Sequence, residues 1–552
     1  MLRTTSRCLR AAAVATLALV LHGPGSAQPA PATPAAAPTF DILQFDVEGN
    51  TVLADEAIER AVMPFLGEGR QMSAVEDARA ALEKVYQTAG YLSVFVDIPE
   101  QKVEGGLVRL SVLEGKVTRL KVSGSRYFSQ GYIREKVPEL ADGKVPNFNE
   151  VQRQLALVNR TEDRRVQPIM KAGAAPGTIE TELKIDDKLP LYGSVELNNR
   201  AAAQTRPLRL SATARYDNLW QLDHSIAVTL QTAPQDTAES RVASLNYSVP
   251  QDDGSTWLGY AIYSNSNVAA IGDVNVLGKG TTLGLRRAQG LAGPADTVQS
   301  VSYGLDFKDI KQETRAGDSV ISTPLRYLPL QFAYNGTLDP GGRNQTQFSL
   351  QLTAAFRSIL RRNVDCPGGT ADQFACSRQG GDGSFASLRT GLRQAFPLGG
   401  TGASLNLRVD VQVATGPLPS GEQFTAGGAE TVRGYYEAEA AGDRGFLGSL
   451  ELHSADFGPG LSRWLGSDAP EGRSSLLSQT YALAFIDGAR TWVFEPATGQ
   501  APHTSIGGAG FGLRARLRKS LAGEFDLAWP VRTTQATESG SPRAHLKVAV
   551  DF

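Results

Sequence analysis

The chain has 552 residues, more than one ordinary domain holds, so several are expected. A net charge of −2 gives no polyelectrolyte basis for nucleic acid as a partner. Hydrophobic residues make up 41% and mean hydropathy is −0.20, values shared by soluble proteins and by membrane barrels, in which lipid-facing and lumen-facing residues cancel.

The chain opens on Arg3, Arg7 and Arg10, an apolar run from Ala11 to Leu21, and Gly25-Ser26-Ala27. This is the pattern of a secretory signal over residues 1–27, with the mature chain starting at Gln28; the apolar run is too short to span a bilayer. Residues 28–39 are rich in Pro and Ala and read as an extended linker. No later segment has 18 or more apolar residues, so any membrane crossing must be made by a closed barrel.

From Phe40 the pattern mixes strands and amphipathic helices. Ser73 and Glu76 form an S-x-x-E capping box, followed by Val75, Ala78, Leu82, Val85 and Tyr86 at helical spacing and by Gly90 as a stop. Strands are predicted over Val94–Ile98 and Leu107–Leu113. The order strand, helix, helix, strand, strand then repeats: a strand over Val117–Val122, helices over Gly131–Val137 and Asn149–Asn159, and strands over Gln167–Lys171 and Thr178–Ile185. Two tandem α/β modules are expected, over residues 40–116 and 117–188.

Beyond residue 189 helical periodicity stops and alternation begins. Leu405, Leu407, Val409, Val411 and Val413 interleave with Asn406, Arg408, Asp410 and Gln412, and Phe348–Phe356 and Leu208–Asp217 do the same. Runs of nine or ten alternating residues match a tilted transmembrane strand and exceed the usual soluble one. Residues 189–552 are therefore predicted to form an antiparallel transmembrane β-barrel, with Arg209, Arg215, Arg408 and Asp410 facing a wet lumen. Leu546, Val548, Val550 and Phe552 alternate to the C-terminus. They would pair with the first strand near Ser194–Asn198 to close the edge, and the terminal Phe fits a barrel-assembly signal. Cys366 and Cys376 flank a Pro/Gly-rich segment. In an exported chain they are a candidate disulfide on a surface loop, closing so short a loop for roughly 2–3 kcal/mol. No histidine lies near them, so no metal site is expected. Of His22, His224, His453, His503 and His545 none sits in a nucleophile motif, and no G-x-x-x-x-G-K-[ST] loop is present, so neither catalytic residues nor a cofactor is predicted.

Three stretches carry a resemblance. The first is Gly90-Tyr91 with Ile98-Pro99-Glu100-Gln101, Gly106-Leu107, Leu110, Val112 and Glu114-Gly115. The second is Gly427-Gly428 with Val432-Arg433-Gly434-Tyr435. The third is Phe485-Ile486-Asp487, whose two-residue spacing puts Phe485 and Asp487 on one face. With the order of parts, these resemble the two-partner-secretion transporters, the haemolysin secretion/activation (ShlB/FhaC/HecB-type) family of the BamA-like superfamily. The resemblance implies two POTRA modules in the periplasm, a barrel of sixteen strands in the bacterial outer membrane, and a loop near 424–444 folded back into the lumen. It also implies a loop–barrel lock of Arg433 with Asp487, flanked by Val432, Gly434, Tyr435 and Phe485. The implied partners are a secreted exoprotein, expected to be β-helical, outer-membrane lipids, and the barrel assembly machinery during biogenesis. The resemblance departs in one respect. Residues 28–39 are too short for the plug helix many members carry, so the inserted loop is expected to block the resting pore.

The function this implies is capture of one exported protein by the modules and its passage through the barrel to the surface. Candidate contacts are the strands near Val117–Val122 and Thr178–Ile185 with the helix at Asn149–Asn159. The alternative is a barrel assembly factor or insertase, although such proteins carry more modules. A passive porin leaves the modules without a purpose, and an enzyme in a barrel finds no supporting motif.

Overall fold

The computed structural model describes residues 38–552 apart from 204, 267, 272–273, 278, 317–318, 367–368, 465–475 and 519. The predicted signal, and the linker as far as residue 37 with the expected lack of a plug helix, lie outside the described residues.

The first compact unit ends at Gly115. Its central strand, Leu107–Glu114, pairs in parallel with Gln44–Glu48 and antiparallel with Val94–Asp97. Helix Met72–Thr88 lays Val75, Ala78, Leu82 and Tyr86 onto Val94, Val96, Val108, Leu110 and Val112, all buried. The spacing i, i+3, i+7, i+11 puts those four on one helical stripe, and the period of two in the strands supplies the facing surface. The capping box does not form. Residues Gly67–Gln71 pair with Thr39–Ile42 as a separate two-stranded sheet, which holds the backbone extended up to Gln71. The helix starts at once at Met72, leaving Ser73 inside its first turn.

The second unit holds the second module and the barrel. The module repeats the topology: Lys116–Ser123 runs parallel to Thr178–Asp187, which is antiparallel to Arg164–Ala172. Helices Gln130–Lys136 and Phe148–Val158 cover one face, burying Ile133, Val137, Val151 and Val158 against Leu120, Val122, Val166, Leu183 and Ile185. Here the helix start follows the sequence: the Asn147 side chain accepts from the N–H groups of Asn149 (3.1 Å) and Glu150 (3.4 Å). Strand pairing by a client, which the sequence places at Val117–Val122 and Thr178–Ile185, meets an obstacle at each. Thr178–Asp187 is the central strand and is paired on both sides. The outer edge of Lys116–Ser123 is taken by its own chain: Val117 N–H donates to Lys144 O (2.8 Å), Gly143 N–H to Val117 O (2.6 Å) and Leu120 N–H to Asp142 Oδ1 (2.7 Å).

Sixteen antiparallel strands among the described residues close into a barrel, from Leu191–Asn198 to Arg543–Asp551. The eighth is interrupted at Leu328-Pro329, between Ser319–Tyr327 and Leu330–Leu338, where proline has no N–H to give the ladder. Closure pairs Ser194–Asn198 with Lys547–Asp551. Gly193 and Phe552 exchange both backbone hydrogen bonds at 2.9 Å, and the Asn199 side chain prolongs the seam by bonding Leu546 N–H and Ala544 O at 2.8 Å each. Val548, Val550 and Phe552 point outward with Leu197, Leu230, Leu245, Leu352, Ile486 and Phe511, an exposed apolar belt suited to lipid. Arg209, Arg389, Arg408, Asp410 and Gln412 alternate inward and line a cavity of about 1170 Å³. No helix among the described residues is long and apolar enough to cross a membrane.

The second module is fastened to the barrel through the turn between the second and third strands, Arg209–Leu219 and His224–Thr232. Trp220, Gln221 and Asp223 adopt φ of +62°, +60° and +59°, unusual for residues other than glycine. This shape aims Asp223 at the module, where its carboxylate takes both arms of the Arg164 guanidinium and the Tyr132 hydroxyl (3.0 Å). The Arg164 and Asp223 side chains are 0% and 6% exposed, and Arg164 stacks 4.7 Å from the Phe128 ring. Burial and the neighbouring Asp223 carboxylate hold the Tyr132 phenol well above its usual ionisation range, so it stays a donor. Gln221 accepts from Ser129 N–H (2.8 Å), and Lys136 pairs with Asp252 in the next turn. Arg164→Ala, which strands the Asp223 carboxylate, is expected to weaken this docking by ~3–5 kcal/mol. Hydrogen exchange should then quicken at 127–132 and 220–223, with part of the protection returning in Arg164→Ala/Asp223→Ala. Unaltered protection in the single variant would show that the joint does not depend on the pair.

Candidate functional site

Residues 415–443 leave the barrel after Ser404–Ala414, turn into the lumen, and return to Arg444–His453. A turn at Ser420–Glu422 and a short hairpin, Phe424–Ala426 with Ala440–Gly442, stiffen the two limbs. Phe424, Ala426, Val432, Tyr435 and Ala440 pack on Leu447, Ala489 and Ile506 of the wall. The lumen face is apolar at this stretch, and there the loop docks.

At the tip, Gly434 has φ +98°, which favours glycine, and an added Cβ would lie 3.1 Å from Pro530 N. The turn presents Arg433 to strand Leu477–Trp492. Nε donates to Asp487 Oδ2 at 2.7 Å, the second arm to Oδ1 at 2.8 Å, and the Arg433 backbone N–H to Oδ2 at 3.1 Å. The side chains of Arg433 and Asp487 are 4% and 0% exposed. Ser449 Oγ donates to Asp487 Oδ1 at 2.7 Å, so the carboxylate is fully engaged. The guanidinium also meets Glu451 at 2.7 Å and lies 3.4 Å above the Phe485 ring. One cation thus faces two carboxylates and an aromatic face, the planar surroundings that suit arginine.

The neighbours of Arg433 are fixed as firmly. Gly434 N–H donates to His545 Nε2 at 3.0 Å. The Tyr435 hydroxyl, fully buried, lies 3.0 Å from Gly507 O and 2.9 Å from Arg532 O, and accepts from Arg532 N–H at 3.1 Å. Val432 is buried in the cluster just described. Gly508 lets the loop approach: a Cβ there would stand 2.0 Å from Arg433 O. Further out, Arg200 reaches Glu437 (3.2 Å) and Glu430 (3.6 Å).

The structure therefore brings Val432, Arg433, Gly434, Tyr435, Phe485 and Asp487 into one place. Val548, Val550 and Phe552 lie apart at the seam, and Cys366 and Cys376, bonded to each other, lie on a different loop. Sequence reasoning missed Ser449, Glu451 and His545. A signal for two of them exists: Ser449 and Glu451 sit on the lumen face of the strand beside Asp487, in register opposite Asp487 and Phe485. His545 gives no such signal, because its partner is a backbone N–H on a distant loop. Among the described residues no group of side chains is arranged to hold a metal ion.

The family model described as haemolysin secretion/activation protein ShlB/FhaC/HecB matches residues 177–469, more than half of the chain. The model of the ShlB-type POTRA domain matches residues 40–115. The outer membrane transporter CdiB of Dickeya dadantii (strain 3937) is 21% identical over 505 residues, 90% of this chain and 83% of its own length. The hemolysin transporter protein ShlB of Serratia marcescens is 23% identical over 422 residues, covering 76% and 72%. Among solved structures, CdiB from Escherichia coli superposes with a TM-score of 0.58 at 18% identity, over 95% of this chain and 93% of that one. BamA from Haemophilus ducreyi lacking POTRA domains 1–3 gives 0.53 at 12% identity, over 93% and 100%. The barrel is thus common to both solved structures, while the family models single out one branch. The chain belongs to the haemolysin secretion/activation family of ShlB/FhaC/HecB type, the outer-membrane transporters of two-partner secretion, with its modules in the periplasm.

Proposed function

We propose that the inserted loop is the gate of this transporter and that Arg433 with Asp487 is its lock. The observation that supports this most is the burial of a fully paired cation at the tip of a loop in a lumen lined largely by polar and charged side chains. A sixteen-stranded barrel encloses an aqueous channel unless something fills it. The loop does so while leaving the cavity lined by Arg389, Arg408, Asp410 and Glu437 beside it. Once the loop moves away, Arg433, Asp487 and Glu451 all return to water, so opening carries no lasting desolvation cost.

The client enters from the second module. Strand Arg164–Ala172 forms the other edge of its sheet. Asn159 bonds both Val166 N–H (2.7 Å) and Val166 O (2.9 Å) from outside the sheet, which fixes the even-numbered residues as the outward-pointing set. Pro168 has no N–H, the usual tolerance of an edge. The outward N–H groups of Met170 and Ala172 remain for an extended client segment, which would add to the sheet as one more strand. The groove beside helix Phe148–Val158 is next to this sheet. The client is one secreted protein, expected to be β-helical, and its folding outside drives export. The reading includes no catalytic step.

Two tests follow. Arg433→Ala, at equal amounts of folded barrel, is expected to raise pore opening in planar bilayers and to reduce secretion of a client encoded beside this chain. Wild-type conductance together with wild-type secretion would remove the lock from the mechanism. Ala172→Pro deletes one outward donor and no bond within the sheet. It should weaken binding of the client's N-terminal segment by about tenfold, the worth of roughly 1.4 kcal/mol. Equal affinity by calorimetry would move the contact from the edge to the groove.

A further inference from the structure

The disulfide that sequence reasoning placed on a surface loop has no part in the mechanism so far. It lies in residues 356–384, which join strands Thr346–Ala355 and Phe385–Pro397 at the end of the barrel opposite the second module. A hairpin, Asn363–Cys366 with Gly369–Asp372, leads into a short helix, Gln373–Ser377, and Cys366–Cys376 ties the two together with Cα atoms 5.8 Å apart. This segment does not stand out in solvent. Gln373 and Phe374 are 0% and 3% exposed. The Gln373 amide donates to Arg326 O (2.8 Å) and Leu360 O (3.0 Å) and accepts from Arg326 N–H (2.9 Å). Phe374 packs edge-on to Tyr327 in a cluster with Phe385, Ala414 and Leu418.

Two residues beyond Cys376, Arg378 turns to the gate. Its guanidinium takes both oxygens of Asp443 and donates to Leu418 O (2.7 Å) and Phe494 O (3.1 Å). Asp443, 0% exposed, also accepts from Leu418 N–H (2.9 Å), Phe494 N–H (2.7 Å) and Gln423 Nε2 (3.4 Å). Leu418 lies on the limb by which the gate loop enters the lumen, and Asp443 ends the limb by which it leaves. One guanidinium from a different loop therefore holds both roots of the gate and the neighbouring outer loop at Phe494. Arg433 fastens the tip, and Arg378 fastens the base. A loop that swings out of the barrel must move about its roots, so the base contact opposes the same motion as the tip contact.

We propose that the strand ending at Cys366 and residues 369–381 form an external latch, in which Arg378 clamps the two roots of the inserted loop and the Cys366–Cys376 bridge keeps Arg378 in position. The proposal rests on the reading of the inserted loop as gate. On it, the pore has two fastenings, and the emerging client must displace the outer one as well as the inner.

The test uses the full chain in planar bilayers, with folded barrel quantified by its heat-dependent shift in gel mobility. Arg378→Ala is expected to increase the open fraction by at least about tenfold, because the buried Asp443 loses its cation. Arg378→Lys should fall between the two, since lysine lacks the forked geometry. Cys366→Ser/Cys376→Ser, and the wild-type chain under reductant, should both open more than the oxidised wild type. If Arg433→Ala opens the pore while Arg378→Ala and the disulfide variants stay closed, the latch is wrong and the gate stands. If removal of residues 427–439 leaves conductance at its wild-type level, the gate reading falls and the latch with it.

Discussion

The whole molecule depends on one closure. In lipid no water is available to satisfy a backbone N–H or C=O, so a strand that spans must be paired on both sides. Here the requirement is met where Ser194–Asn198 meets Lys547–Asp551 and Gly193 meets Phe552, positions separated by the length of the barrel domain. Once the ring is closed, the period of two along each strand does the rest. Leu405, Leu407 and Val409 must face outward because Asn406, Arg408 and Asp410 cannot, and the lumen becomes polar as a consequence. A polar lumen is wet, and a wet lumen must be filled or guarded.

The form of the guard follows from the same alternation. An apolar plug would hold at least as well as a buried ion pair, since removing two charges from water costs about as much as their attraction returns. It would require an apolar lumen face to dock against, however, and that face would lie exposed to a passing unfolded chain whenever the pore opened. The structure seats the apolar part of the loop on Leu447, Ala489 and Ile506, packs Leu418 at its root with Tyr327, Phe385 and Ala414, and gives the tip to Arg433, Asp487 and Glu451. Charged groups are well solvated when separated and specific when joined. On the proposed gate reading, that combination suits a contact that must break and re-form. The Arg164–Asp223 pair is built alike but framed by the Phe128 and Tyr132 rings and by a turn in a left-handed conformation, surroundings that suit a joint meant to stay shut.

The fold was legible because it is written in periodicity. Alternation over nine or ten residues is a local signal, and so is a helical stripe such as Val75, Ala78, Leu82 and Tyr86. What escaped is long-range. Nothing near Ser73 announces that Gly67–Gln71 will be a strand, so the helix start was misplaced by the length of a cap. The central position of Thr178–Asp187 depends on its being paired on both sides, which no single strand reveals. Arg433 and Asp487 are 54 positions apart, and chain spacing carries no trace of their meeting; the motif Val432-Arg433-Gly434-Tyr435 pointed there only through resemblance. Arg378 and Asp443, 65 apart and in no motif, gave no signal at all.

If the inserted loop is the gate, how a client at the module could release it is constrained by stiffness. The joint at Asp223 meets the second and third strands, whereas Asp487 sits on Leu477–Trp492 and Asp443 beside it, several strands away. A signal through the wall would have to distort ladders in which each strand is hydrogen-bonded to both neighbours, and such sheets shear poorly. A chain already inside the lumen needs no such route. It can offer its own backbone and side chains to Arg433, Glu451 and Arg378 in place of the loop, and each replaced contact lowers the cost of the next. On the proposed reading, the rigid joint would keep the edge strand Arg164–Ala172 at a fixed place beside the barrel, and the cargo itself would open the pore.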